Sequence, residues 1–501
     1  MRPLAACLLA LTALPVLADD AALPKEDAYW LNRVTFGADS ATLASFRDLG
    51  KRRFLDRQLH PSGDGLPAAI QARIAGFDAV KTPVTVLMAQ VRDQAQVIKA
   101  MPDGDAKQEA RKAQRKQGNE YAQQAQSAVL LEAIYDENQL REQLVWFWLN
   151  HFSVFRDKGR VRWLLADYTQ NTIRPHALGK FRDLVMATLK SPAMLEYLDN
   201  AQNARDKINE NYARELMELH TLGVGSGYTQ ADVQALAHIL TGVGVNFDGQ
   251  PRKIRRDLQP YYLQEGVFEF NPNRHDFSDQ VLLGHTIKGG GFDEVEKAVD
   301  LIVSQPACAT FVSTGLAKYF VADDPPPALI EAMAKTFRHT DGDIAQVMKT
   351  MLTSKYFIAS LGKRYKDPTQ FLVSAMRLAY DGKPVENPRP LANWVQQLGQ
   401  APFGRITPDG WPMSSSEWTS SGQVAKRFEI ARSIGSGANH LFDLTDDGSQ
   451  HRGGFPQLTT PTYYATIDPF LGPKTRDALS QATSQQEWNT YLLSSPEFNY
   501  R

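Results

Sequence analysis

The chain has 501 residues, 55 basic against 56 acidic side chains, and two cysteines. A charge balance this close to neutral excludes a polybasic binder of nucleic acid or of an anionic membrane, and so few cysteines exclude a disulfide-built scaffold. The length allows two or more domains or one large helical one.

In chain order, Arg2, the apolar run Leu4–Val16 and Val16-Leu17-Ala18 before Asp19-Asp20 read as a secretory signal peptide cleaved after Ala18. Residues 19–501 then carry 54 basic and 56 acidic side chains and one cysteine, Cys308. No later stretch is apolar for the roughly 18 residues that a membrane span needs, so the mature protein is expected to be soluble in the periplasm or outside the cell. Helical periodicity begins at Tyr29–Val34, Ala41–Leu49 and Arg53–Leu59. Pro102–Gln126 is polar with almost no apolar stripe, which predicts an exposed helical arm or insertion. Leu140, Leu144, Trp148 and His151 then share one face of a buried helix.

Helices are predicted again at Trp163–Tyr168, Phe181–Thr188, Asn209–Leu222 and Ala231–Leu240, the last opened by a Thr229–Asp232 capping box. Val267–Phe270 alternates, and with Val281–Leu283 it predicts a small β-hairpin near residues 267–287 joined by the loop 271–279. Helices resume at Asp293–Ser304, Ala307–Phe320, Ala328–His339, Asp343–Thr353, Asp367–Tyr380 and Leu391–Leu398, and Ser436–Pro469 reads as irregular before a short closing helix. The expected fold is mainly α, a large multi-helix, bundle-like main domain over residues 19–383. A C-terminal helical and irregular region, residues 384–501, is expected to pack on it.

The chemistry concentrates in NENYARELMELHTLG, residues 209–223. At about 100° per residue, Tyr212, Leu216 and Leu219 form a buried stripe, while Asn211, Glu215 and Glu218 share another face with Arg214 beside them. Two carboxylates on one face suit a hard divalent cation or a division of general acid and base roles. The same spacing also suits a solvated face with an Arg214–Glu218 pair. His220 falls on the apolar side, away from both glutamates. His275-Asp276 in the loop NPNRHDFSD suits metal ligation or a base with its orienting partner. His151 in VWFWLNHFSVF sits among aromatic residues, and His176 follows a proline at an expected helix start. Gly289-Gly290-Gly291 precedes a helix whose first turn is acidic, which argues against a phosphate cradle and for a hinge. The basic loop 251–256 has no aromatic interleaving and reads as solvated.

Taken together, WLNRVTFGA, WFWLNHFSV, IRPHALGKFRDLV, NENYARELMELHTLGV with GYTQADV, FEFNPNRHDF, LLGHTI, QPACATFV, FVADDPP, TPDGWP and SPEF resemble, in order and spacing, the bacterial domain of unknown function 1800 family (DUF1800). The resemblance implies an exported, mainly helical protein whose activity is not established. It also implies a neighbouring gene for a sulfatase-like exported protein, and so an envelope or polysaccharide task. The family pattern carries residues matching Asn150, His151, His176, Glu210, Asn211, Arg214, Glu215, Glu218, His220, His275 and Asp276. The chain departs from it at His238, where the family usually has arginine, and at Val243, Gln305 and Thr314-Gly315.

Two readings follow. The first is a metal-assisted hydrolase or lyase acting on an envelope or extracellular polymer. Glu215, Glu218, His275 and Asp276 would hold one divalent ion. Glu215, Glu218, Arg214 and His220 are the catalytic candidates, and His151, Asn211 and His176 are further site residues. The second is a non-catalytic envelope binding or assembly protein whose polar residues form a structural network.

Overall fold

Residues 139–151 read QLREQLVWFWLNH, in which Leu144–Leu149 is an unbroken apolar run that covers every face of the helix, and such a run has no side to offer solvent. In the computed structural model, which describes residues 22–63, 65–442 and 454–501, Gln139–His151 is a helix buried along nearly its whole length. The helices Ser40–Leu59 and Asp105–Tyr135 and the turn Tyr168–Ile173 pack on it. The expected signal peptide and residues 443–453 of the irregular stretch lie outside the described residues.

The fold is mainly α, with twenty-three α-helices among the described residues and one continuous hydrophobic core. No single described helix is long and apolar enough to cross a membrane. The two predicted segments 41–49 and 53–59 are one element, Ser40–Leu59, broken at Gly50, where φ is +69° and ψ is 158°. The polar stretch after Pro102 forms the exposed N-terminal half of Asp105–Tyr135, laid along Val84–Ala100. The Thr229–Asp232 capping box is present.

The β structure differs from the expected hairpin. β1 (Val243–Val245), β2 (Leu263–Glu265) and β3 (Phe268–Phe270) form a three-stranded antiparallel sheet with β3 central, while β4 (Gln280–Leu282) and β5 (His285–Ile287) pair separately. β3 is flanked by a strand on each edge and buried at all three positions, so its apparent alternation marked a central strand and not one arm of a hairpin with 281–283.

Two π-helical turns are present: Tyr168–Ile173 extends the chain beyond the helix predicted over Trp163–Tyr168, and Leu216–Thr221 replaces the second half of the regular helix predicted over Asn209–Leu222. Short π turns are rare and concentrate at functional sites.

Buried ions join the framework. Glu132 and Glu142 both accept from the Arg174 guanidinium. Arg141 donates to Asp136 at 2.6 Å and to Glu142 at 3.3 Å. Three nearly buried carboxylates therefore face two guanidinium groups, and one acid has no cation of its own. Burial, reinforced by Glu142 and Asp136 against the pull of Arg174, pushes the Glu132 carboxyl up to about 7. A raised carboxyl binds its proton more tightly in the folded state. Its stabilisation is complete below the ordinary glutamate range and is lost as pH rises through the folded value. Thermal melts are expected to fall between pH 5 and pH 8, and Glu132→Gln should flatten that slope. An unchanged slope in the variant would assign the pH dependence to other groups.

Candidate functional site

The central helix ends at Asn150-His151, and each of these residues fixes a different strand of backbone. The Asn150 side chain accepts from the Trp411 N–H at 2.6 Å and donates to the Trp411 carbonyl at 2.9 Å. A carboxamide matched to both backbone polar groups of one residue sets the position and the orientation of the loop 405–412. The loop comes close enough that a Cβ on Gly410, which has φ +73°, would lie 2.2 Å from the Asn150 carbonyl oxygen, so glycine is required there. His151 holds the other side: its Nε2 lies 2.9 Å from the His220 carbonyl in the π turn. That contact makes Nε2 the protonated nitrogen of a neutral ring, and burial lowers the His151 pKa to about 4.

These two contacts bring the glutamate helix and the TPDGWP loop together. The helix runs as α over Asn211–Glu215 and as π over Leu216–Thr221, closed by the Leu222 N–H on the Met217 carbonyl at 2.8 Å. The wider turn moves residues off the regular wheel: Met217 is buried and Leu219 only half-buried. Glu215 and Glu218 remain on one half-exposed face, and His220 is wholly buried behind it.

Glu215 and Glu218 make no hydrogen bond or ion pair with any described residue. Partial burial and the charge of Glu218 raise the Glu215 carboxyl, with Arg214 opposing and Asp409 adding to the rise. Asp409, in the clamped loop, is held below the ordinary carboxylate range by the Arg405 guanidinium at 2.9 and 3.1 Å. Tyr197 donates to the Ile406 carbonyl at 2.8 Å; burial, Glu215 and Asp409 raise its phenol. Tyr228 is raised by partial burial and then by Glu218. The face therefore consists of two unpaired glutamates, one paired aspartate and two phenols kept protonated.

The other expected residues fall elsewhere. Arg214 does not bridge to Glu218; it bonds Glu210 at 3.0 Å and Gln230 at 2.9 Å, and Gln230 bonds Glu210 at 2.7 Å, a closed triangle. Asn211 ties the helix start to the Leu198 carbonyl at 3.1 Å. His176 does not open a helix: it ends the short 3-10 turn Arg174–His176, its ring bonding the Thr172 carbonyl at 2.8 Å. His220 packs at a tilt against His151 and Phe152, and neither ring nitrogen has a partner; burial and then His151 lower its pKa to about 3.

His275 and Asp276 point in different directions. His275 is fully buried, its Nδ1 2.7 Å from the Thr241 carbonyl and its Nε2 2.5 Å from Glu294. Glu294 also accepts from the Gly290 and Gly291 N–H groups at 3.1 and 3.0 Å, so those amides of the triple glycine are used internally. Asp276 bonds His238 at 2.6 Å, so the histidine at the usual arginine position still faces the acid. Among the described residues no three or more His, Cys, Asp or Glu side chains form a group able to hold a metal ion. The expected set Glu215, Glu218, His275 and Asp276 is therefore not one such group.

Asp409, Arg405, Tyr197 and Tyr228 carried no assigned role in the sequence. TPDGWP was a visible motif, but only the fold shows that it sits beside Glu215. A family model described as "Protein of unknown function (DUF1800)" matches residues 29–500. The chain belongs to this family. No curated protein and no solved structure matches it, so the DUF1800 assignment brings no activity with it.

Two outcomes follow from the clamp. Asn150→Ala should cost about 1–3 kcal/mol, since it leaves the Trp411 backbone unpaired, and proteolysis should cut first within 405–412. Unchanged stability and cleavage would mean the loop is held by other contacts. His220→Leu removes two unpartnered buried nitrogens and should leave the melting temperature unchanged or higher. A fall of several degrees would reveal a bonded role for that ring.

Proposed function

We propose that this DUF1800 protein is an exported hydrolase or lyase working by paired-carboxylate acid–base chemistry at Glu215 and Glu218. One observation carries the reading. Most polar residues of the region are committed to fixed bonds, as a structural network requires, whereas these two carboxylates are adjacent, half-buried and unbonded. Partial burial and like charge are the two effects that separate the proton affinities of neighbouring acids.

In this reading Glu215, whose carboxyl is raised, delivers a proton to the leaving oxygen. Glu218 acts as the carboxylate that takes a proton from water or from carbon. Tyr228, kept protonated, offers its hydroxyl to substrate, Tyr197 holds the loop at the Ile406 carbonyl, and Arg405 keeps Asp409 charged beside them. Arg214, closed in its triangle, fixes the helix start rather than binding substrate. Oxygen donors of this kind also suit a divalent ion, but the histidine and aspartate expected to complete its shell are bonded elsewhere. An envelope or extracellular polymer as substrate, and a sulfatase-like exported partner, rest on the family resemblance and on the secretory leader.

The alternative, a non-catalytic envelope protein, requires Glu215 and Glu218 to stabilise the fold. The two readings give opposite signs. Under the enzyme reading, Glu215→Gln or Glu218→Gln should raise stability by roughly 0.5–2 kcal/mol by removing like-charge repulsion, and should abolish reducing-end or unsaturated-end release from an acidic or neutral polysaccharide panel. A drop in stability in both variants, with no polymer cleaved by the native protein, would favour the structural reading.

A further inference from the structure

A second feature lies away from this site, at the break in Ser40–Leu59. Its sequence, SFRDLGKRRFLDRQL, puts three cations directly after Gly50, whose left-handed φ turns the chain out of the helix. A Cβ on Gly50 would meet nothing within 4 Å, so the glycine serves conformation and not close packing. The break divides the labour of the three cations. Arg53 folds back onto the carbonyls it leaves free, bonding the Leu49 carbonyl at 2.9 Å. Lys51 pairs with Glu26 and Asp27 at 3.1 and 3.0 Å and lies 5.4 Å from the Trp30 ring centre. Arg52 is exposed and has no hydrogen-bond or ion-pair partner among the described residues.

The second half of the helix forms one wall of a groove of about 710 Å³. The opposite wall comes from Ile344–Leu352 and Lys355–Ser360. Its apolar lining is Trp30, Leu55, Leu59, Leu352 and Ile358. Its rim carries Lys349, exposed and likewise without a hydrogen-bond or ion-pair partner among the described residues, facing the groove with Arg52. One acid, Asp56, lines it against the four cations Lys51, Arg52, Arg53 and Lys349. The volume is that of a small-molecule site of about 300–1,000 Å³.

We propose that this groove binds a single-chain anionic amphiphile, with its alkyl chain between Leu55 and Leu59 on one wall and Leu352 and Ile358 on the other, and its head group held by Arg52 and Lys349. An apolar floor selects the chain by burial. Arg52 and Lys349, two lining cations with no bonded counterion among the described residues, select an anionic head over a neutral or cationic one. The site is independent of the glutamate face, so it stands or falls separately from the activity proposed above.

The test is calorimetric titration of the full chain with dodecyl phosphate below its aggregation concentration, beside neutral dodecyl maltoside. Saturable binding of one dodecyl phosphate per chain is expected, with the maltoside at least about tenfold weaker. The double variant Arg52→Ala/Lys349→Ala should weaken dodecyl phosphate by about tenfold or more at an unchanged melting temperature. Ile358→Asn, at a groove residue that is only partly buried, should weaken both ligands together. Absence of saturable binding, equal affinity for the two ligands, or an unaffected double variant would overturn the proposal. So would binding to phosphatidylglycerol vesicles without binding of the monomeric amphiphile, which would make the groove a membrane contact.

Discussion

The last two side chains of one buried helix hold this structure's site together. Asn150 grips both the backbone N–H and the backbone carbonyl of Trp411, and His151 grips the carbonyl of His220. Because Gln139–Leu149 is packed on nearly all faces, these two residues cannot drift, and neither can the loop and the π turn bonded to them. The Asp409 loop is placed beside the Glu215 turn by this rigid post, across a separation of nearly two hundred residues in the chain. Hydrogen bonds in a core of this kind stabilise modestly but specify position strongly.

The polar chemistry of the glutamate helix divides along the same line. On its inner side His220 is a buried neutral ring, and at its start the partly exposed Glu210–Arg214–Gln230 triangle locks the helix in place. On its outer side Glu215 and Glu218 gain no such bonds. Unpaired, half-buried acids cost stability and are tolerated where function needs them. The π turn belongs to this arrangement, since it lets Glu218 stay beside Glu215 while Met217 replaces Leu219 in the core.

Much of the fold was legible from local signals. The separate segments Ala41–Leu49 and Arg53–Leu59 bracketed the break in Ser40–Leu59, Thr229 and Asp232 marked a helix start, and the polar run after Pro102 marked an exposed helix. The burial of His220 followed from its place on the apolar side. What could not be read were features decided by tertiary contact. A wheel drawn at a regular helical period cannot show a π turn, so it put Leu219 in the core where Met217 lies. The three-stranded sheet needed β1 and β2, whose three-residue strands carry no period of their own. His275 and Asp276, adjacent in sequence, were read as one pair, yet alternation of the backbone sends one to Glu294 and the other to His238. Asp409 was quoted within a motif but could not be joined to Glu215 without the Asn150 clamp.

The central claim is that Glu215 and Glu218 form an unpaired, interacting carboxylate pair. Side-chain carboxyl titration by carbon-13 NMR, with Glu215→Gln used to assign the signal, tests it directly. Glu215 is expected to titrate above the ordinary glutamate range and to move back toward it in Glu218→Gln, where the neighbouring charge is gone. An ordinary titration of Glu215, indifferent to Glu218, would contradict the pairing.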